Sequence, residues 1–150
     1  MLNIIKYNEN IKKRININTN DYKEYSLIEI EIKPVNNKYG KFINIKKEEE
    51  IYYHIYFNNN EEEIKRNYIN KDEEIKIIKI IIDYQVKSFK YLFFDCDCIE
   101  SLCFKKFYRN NLNNMSLMFF GCSFLKEINL NHFNTNNVTN FFQCLKAVHL

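Results

Sequence analysis

YLFFDCDCIESLCFKKFYRNNLNN (residues 91–114) and LMFFGCSFLKEINLNHFNTNNVTN (residues 117–140) superimpose without a gap at a shift of 26 residues. The identities are Phe93/Phe119, Phe94/Phe120, Cys96/Cys122, Phe107/Phe133, Asn110/Asn136, Asn111/Asn137 and Asn114/Asn140. Between them lie the apolar pairs Leu92/Met118, Ile99/Leu125, Leu102/Ile128, Phe104/Leu130 and Leu112/Val138. A fixed period of this length marks units that each bury an apolar side against the next. Within a unit, Leu125-x-x-Ile128-x-Leu130-x-x-Phe133 repeats Ile99-x-x-Leu102-x-Phe104-x-x-Phe107, and its centre predicts a short strand. Met115, Met118, Phe119 and Cys122 fall at i, i+3, i+4 and i+7, which predicts a short helix with Asn114 or Ser116 as its N-cap. Each unit is therefore expected to be a strand, an Asn-rich turn and a short helix.

The period fades upstream. Ile78, Ile81 and Val86 precede Phe104, Phe107 and Leu112 by 26, but Lys76 stands where Leu102 should be matched. Residues 73–90 are read as a cap repeat, residues 91–116 and 117–140 as full repeats. Downstream, FFQC at residues 141–144 follows FFGC by 22. Residues 141–150 are accordingly expected to be a truncated repeat, in which Leu145-x-x-Val148-x-Leu150 starts the strand again and no polar cap follows.

The phrase NMSLMFFGCSFLKEINLNHFNTNNVTN resembles the 26-residue unit of the BspA-like leucine-rich repeat surface-protein family. The resemblance spans residues 91–140 well and 141–150 in part. It implies a right-handed α/β solenoid and a protein-interaction role, and some members of that family are exported adhesins. The fold class expected is α/β: a short leucine-rich-repeat solenoid of strand–turn–short helix units with an N-terminal antiparallel β cap.

That cap is expected over residues 21–72, after a polar lead-in at 1–20. Ile28, Ile30 and Ile32 alternate with Glu29, Glu31 and Lys33, the period of a half-buried strand. Pro34 ends it, and Asn36, Asn37 and Gly40 make the turn. Residues 42–46 alternate more weakly. Residues 51–57 put Ile51, Tyr53, Ile55 and Phe57 on one side and Tyr52, His54 and Tyr56 on the other, which predicts a strand that is central or covered on both faces. Residues 64–69 and 75–82 are the remaining strand candidates.

Composition narrows the function. The 24 Asn, with abundant Ile and Lys, accompany only 2 Gly and 1 Pro, a bias that an A/T-rich coding sequence would produce. A net charge of +3 with mixed signs provides no clustered basic face, so no nucleic-acid partner is expected. No segment approaches the roughly 20 apolar residues that span a bilayer. The N-terminus has no apolar run of signal-peptide length, so the chain as it stands is expected to be cytoplasmic, or surface-exposed if it is a fragment of a larger exported protein. Five Cys then favour free thiols over disulfides.

No motif announces a reaction. Asp95-Cys96-Asp97-Cys98 with Cys103 lacks paired C-x-x-C spacing, and Cys96, Cys122 and Cys144 suit a ladder of small buried side chains better than a metal site. His54, His132 and His149 are far apart in sequence and fit no triad order, and two glycines make no phosphate loop. No enzyme and no cofactor are expected. The candidate binding residues are those between the inward apolar positions: Ser101, Cys103, Lys105 and Lys106 in one unit, and Glu127, Asn129, Asn131 and His132 in the next. The expected function is a non-catalytic protein–protein interaction module with an unidentified protein partner, and possible self-association through the uncapped last repeat. The alternative is a fragment of a larger leucine-rich-repeat surface protein without independent activity; a metal-binding role is the weaker reading.

Overall fold

A computed structural model describes residues 26–108, 111–130, 137–140 and 142–145. The described residues form seven strands: β1 (Ile28–Pro34), β2 (Gly40–Lys41), β3 (Tyr53–Phe57), β4 (Tyr68–Ile69), β5 (Ile78–Ile82), β6 (Ile99–Phe107) and β7 (Glu127–Asn129). Five form one sheet in the order β3-β5-β1-β6-β7, and β2 pairs with β4 in a second. All pairs of the larger sheet are antiparallel except β6–β7, which is parallel.

The alternation in β1 works as the sequence requires. Ile28, Ile30 and Ile32 are fully buried and stand opposite Ile82, Ile80 and Ile78 of β5. On the other side they meet Phe107, Phe104 and Leu102 of β6. Removing each such side chain from water contributes about 1.5–3 kcal/mol. Phe42, Ile43, Phe89 and Phe93 close the same core from the loops.

This architecture corrects the expected solenoid of strand–turn–short helix units. The sheet is mixed, β1 and β3 of the expected N-terminal cap are part of it rather than a separate cap, and residues 116–121 are turns instead of a helix. The reason lies in the amides. Met115, Leu117 and Phe119 donate to the carbonyls of Asn140, Phe142 and Cys144 in the following unit. An amide committed to the next unit cannot donate to i−4, so the α-helical ladder is not available. The intervening amides of Met118, Phe120 and Cys122 close i−3 turns. Those turns bury Met115, Met118, Phe119 and Cys122 on one side with the same spacing a helix would give.

The 26-residue shift itself survives as a register between stacked turns. Amides of Phe89, Tyr91, Phe93 and Asp95 donate to the carbonyls of Asn114, Ser116, Met118 and Phe120. Phe93 stacks on Phe119 at 5.4 Å and Phe94 on Phe120 at 5.3 Å between ring centroids. Ser88, Asn114 and Asn140 bridge in parallel, and each side-chain oxygen accepts from the amide two residues on, in Lys90, Ser116 and Phe142. Positive φ recurs at Tyr91, Leu117 and Gln143. The spacing therefore stays 26 through Cys144, and Phe142 and Cys144 do not fall in register with Phe120 and Cys122. Cys144 takes the place of Met118, not that of Cys122, so the three-cysteine ladder is corrected to the pair Cys96 and Cys122.

The first turn is closed by Asn44. Its amide donates to Leu92 O at 2.7 Å and its Nδ2 to Phe94 O at 2.8 Å, the two carbonyls that a preceding turn would otherwise use. Further corrections concern residues 51–57. Lys47–Tyr52 form a 3-10 helix that leaves Ile51 70% exposed, and β3 lies at the edge of the sheet rather than its centre. Its outer side is met by the isolated bridge Ile55–Ile64.

Gly121 occupies a left-handed conformation at φ 77°, where an added Cβ would lie 1.9 Å from Asp95 Oδ1. Gly121→Ala is expected to cost about 1 kcal/mol, measured by urea unfolding, chiefly through the backbone because the carboxylate can rotate away.

Candidate interaction face

The spacing x-x within Ile99-x-x-Leu102 and Phe104-x-x-Phe107 encodes two β-bulges. Lys106 pairs with Glu29 and Phe104 with Ile30, which leaves Lys105 as an extra residue. Ser101 pairs with Lys33 and Ile99 with Pro34, which leaves Glu100 as another. Each bulge keeps the apolar residues on either side pointing inward and sets two neighbouring polar residues outward. Ile99, Leu102, Phe104 and Phe107 are buried, while Ser101, Cys103 and Lys106 are half-buried and Lys105 is exposed.

The face opposite the core thus carries Ser101, Cys103, Lys105 and Lys106 on β6, with Glu127 opposite Ser101 and Asn129 opposite Cys103 on β7. Asn131 and His132 lie outside the described residues. The sheet extends this face in the other direction. Glu29, Glu31 and Lys33 of β1, Lys79 and Ile81 of β5, and His54 and Tyr56 of β3 share it through the cross-strand register. The alternation of each strand was readable, but nothing in the sequence told which strands would be neighbours.

Charges on the face are interleaved. Lys79 reaches Glu29 at 3.5 Å, Lys105 reaches Glu31 at 3.2 Å, and Glu100 accepts from Lys33 at 2.6 Å and from Lys126 at 3.0 Å. The hydrogen bond to Glu31 raises the Lys105 ammonium above its ordinary value. Hydrogen bonds from Lys33 and Lys126 hold the Glu100 carboxyl below the usual carboxylate range. Lys65 does the same for Glu63, and Arg66 for Glu73.

The thiols divide by face. Cys96, Cys98 and Cys122 are buried, and Cys98 Sγ donates to Lys41 O at 3.1 Å and Cys122 Sγ to Phe93 O at 2.9 Å. Burial pushes Cys98 up to about 11 and Cys122 up to about 12, and raises Cys96 further. Cys103 lies on the open face, so the D-C-D-C stretch and Cys103 do not share one centre. Among the described residues no group of three His, Cys, Asp or Glu could hold a metal ion. None of their helices is long and apolar enough to cross a membrane.

A groove of about 790 Å³ opens where β1 and β5 part company. Pro34 has no amide to continue the ladder past Ile32–Ile78. Val35 turns to Cys98 O, and Asn58 Oδ1 takes the amides of Lys76 and Ile77. Lys33 and Lys38 line it together with Lys71, Asp72, Glu73, Glu74 and Lys76. Several are already paired: Lys38 lies over the Phe124 ring, Glu73 pairs with Arg66 and Glu74 with Lys76.

Two outcomes follow from these environments. In native protein, iodoacetamide is expected to modify Cys103 first, with Cys96, Cys98 and Cys122 reacting only on unfolding; peptide mapping by mass spectrometry checks the order. Because Glu63, Glu73 and Glu100 are depressed, their stabilisation is complete above the ordinary carboxylate value of about 4.3 and is lost as pH falls through their lower folded values. The thermal midpoint should therefore decline on acidification below about pH 4.5, as followed by circular dichroism.

No protein-family model matches the chain, and no match was found among curated proteins or among solved structures.

Proposed function

We propose that the chain is a non-catalytic protein–protein interaction module that works through the open face of its five-stranded sheet. The observation that carries this reading is the continuity of that face. Ser101, Cys103, Lys105, Lys106, Glu127 and Asn129 lie beside Glu29, Glu31, Lys79, Ile81 and Tyr56 on a surface that is half-exposed while its other side is core. Aromatic and aliphatic side chains toward β3 with interleaved charges toward β7 match the mixed composition of a transient protein interface. A duplex or single strand of nucleic acid is a poor fit, because the lysines of the face are interleaved with carboxylates rather than gathered into a basic stripe. Leu130, Phe142 and Leu145 are exposed near the end of the stacked turns, which supports self-association there as a second contact. Kinship with BspA-like repeats is proposed on the 26-residue register alone.

Alanine at Lys105, Glu127 and Asn129 together is expected to weaken capture of the partner several-fold in a pull-down while the thermal midpoint stays within a few degrees, since exposed pairs contribute about 0–1 kcal/mol each. Unchanged partner recovery would remove the assignment.

A further inference from the structure

The outer edge of β3 is shielded by the segment that follows it. Ile64 donates its amide to Ile55 O at 2.7 Å, the bridge that covers this edge. An edge strand with bare amides and carbonyls is a template for another strand, so what holds that segment in place decides whether the edge is available. His54 stands at the fastening point. Its Nδ1 lies 3.0 Å from Glu63 Oε1, and its Nε2 lies 3.7 Å from Asp83 Oδ1 just beyond β5. The two ring nitrogens therefore face two different carboxylates, one on the covering segment and one on the sheet.

We propose that His54 is a proton-dependent clasp that holds the 58–64 segment over the β3 edge. A neutral imidazole has one N–H and can donate to only one of these carboxylates. The imidazolium has two and joins Glu63 to Asp83 through a single ring. The other charged groups around the ring are accounted for. Lys65 pairs with Glu63 on the covering segment. Ile81 stands opposite His54 on β5, with Lys79 on the same strand. Glu29, opposite Ile81 on β1, is engaged by Lys79. Exposed Glu61 and Glu62 add negative charge on the covering segment. Glu63 is held ionised well into the acid range by Lys65 and His54, so it remains an acceptor where histidine is protonated.

The clasp is closed while the imidazole carries both ring protons and is weakened when it gives one up. His54, Glu63 and Asp83 are each about a third exposed, which limits the effect to that of a solvent-screened pair.

The Ile64 amide reports the state of the edge. Its hydrogen-exchange protection factor, corrected for intrinsic rate, is expected to fall about two- to five-fold between about pH 5.5 and about pH 8. In His54→Gln, whose side-chain amide keeps the same donors at every pH, the fall should vanish. In Asp83→Asn, with the histidine intact, it should shrink. If His54→Gln does not fold, Asp83→Asn and Glu63→Gln are read instead, and both should reduce the fall. Protection that does not change with pH in the unaltered chain overturns the proposal. So does a full fall that persists in every folded variant.

Discussion

Strand β1 is antiparallel to β5 on one side and to β6 on the other, and this double pairing joins the N-terminal strands to the repeats. Ile28, Ile30 and Ile32 each meet an apolar partner on both flanks, so the strand supplies the centre of the core and the register of its neighbours at once. A slip of one residue would turn all three outward and bring Glu29, Glu31 and Lys33 into the interior, at a cost far above the few kcal/mol by which domains are stable. Everything on the open face inherits its placement from this one pairing.

The second organising constraint is the direction of the stacked turns. Amides point toward the following turn and carbonyls toward the preceding one, so the two ends of the stack are chemically different. Asn44 meets the carbonyl end with one backbone and one side-chain donor. Cys98 Sγ, donating to Lys41 O, ties the same segment down again. The N-terminal half thus does two jobs for the repeats: it extends their sheet and it terminates their hydrogen bonding.

How much of this was legible depended on whether a signal was local. The alternation of residues 28–32 named a strand because period two has one physical meaning. The Phe93/Phe119 and Phe94/Phe120 identities named a stacking because side chains at the same place in successive turns must fit each other. The helix expected after Asn114 failed for a reason the sequence does not carry. A 3–4 spacing of apolar residues is buried equally well by successive i−3 turns, and the choice rests on amides that donate across to residues 140–144. The FFQC match failed similarly. Side-chain identity suggested a shift of 22, whereas the register follows backbone positions whose left-handed residues, Tyr91, Leu117 and Gln143, share no chemistry. At the candidate face, Ser101, Cys103, Glu127 and Asn129 could be read from the gaps between apolar residues. Glu29, Glu31, Ile81 and Tyr56 could not, because their membership depends on β1 lying next to β6, a long-range fact.

The central position of β1 has a consequence for how the chain reaches its fold. β1 leaves the ribosome long before β5 and β6, yet it needs both. During synthesis it is an apolar alternation with two unsatisfied edges, the kind of intermediate that associates with its own copies. A parallel, in-register pairing of β1 with a copy of itself sets Glu29, Glu31 and Lys33 each against its like, and charges so placed are one way natural sequences guard an unavoidable apolar strand. The charged row now displayed on the open face therefore has an earlier duty. While the strand is nascent, it disfavours that one pairing until the right neighbours are made.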